Sequence, residues 1–122
     1  MEAKEKIKKY KKQSIHYFEN AIKFIDKGDA EKASEFLWGS VAQALKAVAA
    51  SKNIWLRGHN QIKYYALALA RELHDDSIWH TFIYAQSLHS NFYESGLLLE
   101  DVVRASEDIK NTVKQLLALI PD

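Results

Sequence analysis

The stretch SLHSNFYESG, residues 87–96, crowds His89, Asn91, Tyr93 and Glu94 together just ahead of a glycine. On a helix, positions three or four apart share a face, so His89 meets Tyr93, Ser90 meets Glu94, and Asn91 meets Glu94. A histidine, an amide and a carboxylate near one helix end can position and protonate a phosphate ester or a nucleotide base. Imidazole titrates near neutrality, and Asn and Glu fix orientation. The competing structural account is that Asn91 and Tyr93 cap and seal the turn while Glu94 is solvated. A second candidate is Arg57, Gly58 and His59. They fall in a long loop just before a helix N-terminus, where backbone N–H groups attract anions. That makes a generic phosphate site, against the alternative of a loop that only starts a helix.

Other chemistries are disfavoured. With no cysteine, the chain has no disulfide, thiol nucleophile or cysteine metal site, which leaves histidine and carboxylates as the strong ligands. The histidines His16, His59, His74, His80 and His89 are scattered, with no pair four apart and no HExxH, so no metal is expected. His74, beside Asp75 and Asp76, reads as a helix end followed by a cap. There is no Gly-rich phosphate loop, no GxSxG elbow and no paired catalytic carboxylates at a recognisable spacing, so no cofactor is expected. The tryptophans have structural uses: Trp38 shares a core stripe, Trp79 flanks a helix start and Trp55 seals the loop. Exposed tryptophan would instead mark an interface.

The elements that must carry these residues are helices. A chain of 122 residues is expected to form one domain, here 1–122. One proline and four glycines leave few places to break a helix. The first helix runs from about Ala3 to Lys27, with Ile7, Tyr10, Ser14, Tyr17, Phe18, Ala21 and Ile25 on one face. Gly28 closes it and Asp29 caps the next. The second, about Ala30 to Ser51, has small residues that admit a close neighbour, and is the expected central helix. After the loop Lys52–Asn60, with Asn60 as a candidate cap, a shorter helix spans Gln61–His74. Asp75 or Asp76 caps a fourth that ends at Ser95 or Gly96, and the last runs from about Leu99 to Leu119 before Pro121. Short connections favour antiparallel neighbours, so the fold expected is all-α, a five-helix up-and-down antiparallel bundle.

The charge is near neutral overall but local in its distribution. The first twelve residues hold six lysines against two glutamates. Such an end attracts phosphates or an acidic partner, although lysines on an exposed helix end are commonly only a solvated face. No apolar run approaches the roughly 20 residues of a membrane span, and MEAKEKIKKYKK lacks a signal-peptide core. A cytoplasmic protein that does not engage membranes is expected.

The run from Lys27 to Asn53, KGDAEKASEFLWGSVAQALKAVAASKN, followed by RGHN and LHSNFYE, resembles the archaeal PaREP family. That family is an arm of the HEPN superfamily, the higher eukaryote and prokaryote nucleotide-binding domains. The likeness covers nearly the whole chain and is most specific from Gly28 to Ala47 and from Leu88 to Glu94. It implies a HEPN-like bundle that self-associates through helix faces, with a nucleotidyltransferase-like protein as a possible partner; the small-residue helix faces and spare tryptophans make a homodimer the default expectation. Many HEPN domains look like metal-independent ribonucleases that use an arginine followed four to six residues later by a histidine. Here Arg57 precedes His59 by two, Arg71 precedes His74 by three, and Arg104 has no histidine after it. The nuclease activity is therefore not carried over. The resemblance places His89, Asn91, Tyr93 and Glu94 in the PaREP motif as a degenerate nucleotide or RNA site. Three readings follow. One is a non-catalytic module binding a nucleotide, RNA or a protein. Another is a weak ribonuclease with His89 as general acid or base. The third is a structural homodimer.

Overall fold

The computed structural model describes residues 2–90 and 98–121. Among them are helices α1 (Ala3–Asp26), α2 (Ala30–Ser51), α3 (His59–Glu72), α4 (Asp76–Ser90) and α5 (Leu99–Ala118), and no strand. The expected all-α bundle is what forms. The segment in which α4 was expected to end, at Ser95 or Gly96, lies outside the described residues.

Local chemistry accounts for the breaks between helices. Gly28 adopts φ 76°, the left-handed region that favours glycine, and the Asp29 N–H turns back to the Phe24 carbonyl at 2.9 Å. The Asp29 carboxylate accepts from the Lys32 N–H at 3.1 Å and starts α2. Asn53 at φ 60° and His74 at φ 51° end α2 and α3 in the same way. Asp75 then caps α4 by accepting from the Ser77 N–H at 3.0 Å. At the head of α5, Asp101 accepts from the Leu98 N–H at 3.1 Å.

α2 is central, as its small residues predict. Twelve of its 22 residues are buried because it packs against all four other helices. Its contact with α1 is antiparallel and close. A Cβ added at Gly39 would stand 3.0 Å from the Tyr17 ring, and the buried Ser14 and Ser40 meet across the same interface. The small faces of α2 are thus used up inside the bundle. Leu37, Val41, Leu45 and Val48 form the middle of the core, with Leu69 of α3, Ile78 and Phe82 of α4, and Val102, Ile109 and Leu116 of α5. α4 and α5 are also antiparallel, joined by hydrogen bonds from Thr112 to Thr81 at 3.0 Å and from Gln115 to Asp75 at 2.6 Å.

The connection from α2 to α3 decides the site. Its seven residues, 52–58, can span about 23 Å when extended. They therefore carry the chain back along α2, which rises about 20 Å from Trp38 to its end. α3 starts beside Trp38 and finishes at Glu72, which pairs with Lys52 at the end of α2 at 3.4 Å. It runs alongside α2 in the same direction, so the antiparallel arrangement expected of neighbours is corrected for this pair, because the seven-residue connection is long enough to return along α2. The expected Asn60 cap is corrected: α3 begins at His59, with Gly58 as N-cap. Gln61 Oε1 accepts from the Arg57 N–H at 2.8 Å and closes the first turn two residues early. Among the described residues no helix is long and apolar enough to cross a membrane.

Candidate functional site

Trp38 of α2 gathers residues from two other helices, α3 and α4. Its ring lies 5.0 Å from that of His59 at the start of α3, 5.2 Å from Phe82 of α4 and 6.4 Å from His89 near the described end of α4. The His89 plane is inclined by only 19° to the indole, an offset stack, whereas His59 is tilted by 42°. Phe82 lies edge-on to the indole and is fully buried, so it forms the floor. Trp79 stacks on Phe82 from one turn earlier, with 6.0 Å between ring centroids. Trp38 itself is half-buried, while both imidazoles are exposed. The indole is thus a rest that holds two solvent-facing histidines.

α4 presents this face by simple spacing. Trp79, Phe82, Gln86 and His89 recur at intervals of three and four, which places them on one stripe. The Gln86 Oε1 atom is buried and has no hydrogen-bond partner among the described residues. A buried amide oxygen left unpaired costs stability, so its place between Phe82 and His89 marks a strip with unused acceptor capacity.

Two of the residues singled out in the sequence, His59 and His89, are therefore brought together through Trp38. Arg57 is exposed, two residues before His59, on the same connection. Asn91, Tyr93 and Glu94 lie outside the described residues. Trp38, assigned to the core stripe, does pack against the core and is also the centre of the cluster, which Phe82 and Gln86 join. No local signal pairs Trp38 with either histidine. Trp55, expected to seal the loop, is 38% exposed.

The chemical repertoire follows from two imidazoles. Each ring offers one donor and one acceptor when neutral and two donors when protonated, and each has a flat face on which a base can stack. Among the described residues no three His, Asp or Glu side chains converge in a way that could hold a metal ion.

Comparison with known proteins agrees with this fold. The model of the archaeal PaREP1/PaREP8 family matches residues 9–113. A crystal structure of a protein from Sulfolobus solfataricus is similar to the chain with a TM-score of 0.76 at 21% identity, over 89% of this chain and 97% of that one. Curated proteins give no match.

Proposed function

The chain belongs to the archaeal PaREP1/PaREP8 family, and we propose that it is a HEPN-like module that binds single-stranded RNA or a nucleotide without catalysis. The observation that carries this reading is the convergence of exposed His59 and His89 on Trp38. Single-stranded RNA is recognised by rings on which unstacked bases lie and by donors that reach phosphate oxygens. Two imidazoles held on an indole offer both, and the indole limits their freedom before the ligand arrives. Arg57 adds a fixed positive charge on the approach to His59, and the lysine-rich start of α1 raises local attraction for a polyanion.

The test is binding of a mixed single-stranded RNA pool at low salt by the native protein, His59→Ala, His89→Ala and the double variant. Both histidines are exposed, so the variants should fold, which circular dichroism checks. The expected result is weaker binding in each single variant and a loss of at least tenfold in the double one. Equal binding by all four proteins would remove the imidazole pair from the site.

The same pair favours a second reading, a weak metal-independent ribonuclease. Strand cleavage by transfer to the 2′-hydroxyl needs one base to take that proton and one acid to protonate the leaving 5′-oxygen. His59 and His89 supply two groups of the right kind on one support. Cleavage of the pool that vanishes in either single variant would establish this reading in place of simple binding.

A further inference from the structure

The connection that carries Arg57 to His59 also forms one wall of an open pocket. Lys6 and Tyr10 of α1, with Trp55, Leu56 and Arg57 of the connection, line a cavity of about 380 Å3. The Lys6 ammonium stands over the Trp55 ring, 5.1 Å from its centroid, and Lys46 of α2 stands 5.8 Å from the centroid of Tyr10. Leu56 packs against the core, whereas Trp55 stays 38% exposed and Arg57 is exposed. The loop is therefore pinned by the leucine and holds the indole and the guanidinium outward.

No acidic residue among the described ones lines this cavity. Among the described residues, no carboxylate stands within ion-pair distance of Lys6, Lys46 or Arg57. Sequence alone separates these groups: Lys6 and Tyr10 lie in a lysine-rich helix end that reads as a solvated face, and Trp55 lies some 50 residues on.

We propose that this pocket holds one nucleotide of a single-stranded nucleic acid, with its base on the exposed indole of Trp55 and its phosphate between Lys6 and Arg57. Small-molecule sites run from roughly 300 to 1,000 Å3, so a cavity at the low end takes a single nucleotide unit. Stacking on an exposed aromatic ring tolerates any base, and clustered cations track the phosphates. An acidic peptide would use the cations but leave the indole face unused. The proposal extends the RNA-binding reading: Arg57 stands two residues before His59, so a strand leaving the pocket passes directly to the imidazole pair.

The test uses adenosine 5′-monophosphate and an eight-nucleotide oligoadenylate as probes, titrated at low salt into the native protein, Trp55→Leu, Lys6→Ala and the His59→Ala/His89→Ala double variant. The monophosphate should bind at least tenfold more weakly to Trp55→Leu and Lys6→Ala than to the native protein. The oligonucleotide should lose affinity in all three. No binding of the monophosphate by the native protein, or equal binding by Trp55→Leu, would overturn the pocket. Oligonucleotide binding that depends on the histidines but not on Trp55 or Lys6 would do the same while leaving the histidine reading intact. Dependence on Trp55 and Lys6 but not on the histidines would support the pocket and defeat the histidine reading. Polyglutamate binding that needs Lys6 but not Trp55, in place of nucleotide binding, would replace the ligand with an acidic peptide and overturn the proposal.

Discussion

Ser14 and Ser40 exchange hydrogen bonds across the α1/α2 contact. Ser14 Oγ donates to the Ser40 carbonyl at 2.7 Å, and Ser40 Oγ donates to the Ser14 carbonyl at 2.8 Å. Both serines are fully buried. Each carbonyl lies inside a helix, so loss of one hydroxyl leaves no backbone group stranded. Ser14→Ala should therefore cost only about 1 kcal/mol, the net worth of a neutral hydrogen bond. Ser14→Leu forces extra volume into a close helix contact and should cost about 2 to 4 kcal/mol, combining the lost bond with overpacking. Thermal unfolding of the two variants measures the difference, and equal losses would show that the interface has room to spare.

Tyr65 gives the opposite sign. Its ring packs against the core, but its hydroxyl is buried without a hydrogen-bond partner among the described residues. Burial, with a smaller contribution from the charge on Glu72, pushes the phenol above its ordinary pKa. Removal of a polar atom that has lost water and gained nothing is favourable, so Tyr65→Phe should stabilise the protein by roughly 1 kcal/mol. A lower melting temperature in the variant would mean that the hydroxyl has a partner after all, such as a bound water.

Asp75 predicts how stability responds to acid. The Ser77 hydroxyl, the Gln115 amide and the Ser77 N–H all donate to its carboxylate and hold it below the ordinary aspartate pKa. The unfolded chain thus takes up this proton at higher pH than the folded one. The stabilisation is present above the unfolded pKa of about 3.9 and is lost as pH falls through the lower, folded value. Asp75→Ala should have a lower melting temperature than the native protein at pH 7, and the gap should narrow below about pH 4. A gap that stays constant down to pH 2 would mean that the charge on Asp75 is irrelevant.

Trp38 should matter to function more than its distance from solvent suggests. In Trp38→Leu the core side stays apolar, but both imidazoles lose the ring they rest on. RNA affinity should fall about as far as in the His59→Ala/His89→Ala double variant, while Trp38→Phe, which keeps a ring, should bind within about threefold of the native protein. The loss of part of a half-buried indole should cost roughly 1 to 3 kcal/mol, so thermal unfolding must confirm that Trp38→Leu is folded at the assay temperature. Native-like binding by folded Trp38→Leu would show that the histidines need no support.

Most of the helices were legible from the chain alone. α2 runs from Ala30 to Ser51 as its spacing predicts, and Gly28, Asn53, Asp75 and Pro121 punctuate where their backbone preferences say they should. These features depend on residues within a turn or two of one another, and a linear sequence displays such neighbours directly. The start of α3 was displaced from Gln61 to His59 because a side chain, Gln61, satisfied a backbone donor ahead of the helix, an outcome that residue preference alone does not rank.

The site was legible only in fragments. His59 and His89 stood out by type and position, and the lysines of α1 by number, but nothing local joins them to Trp38 or Trp55. That joining depends on segment 52–58 running back along α2, which sets α3 beside Trp38 and lays Trp55 and Arg57 against Lys6 and Tyr10. The sequence by itself determined which segments are helical, which faces are apolar and where positive charge collects, since each follows from short-range spacing. Only the tertiary structure decided which exposed side chains meet, because contacts between residues 20 to 50 apart are set by how whole helices dock through their buried faces.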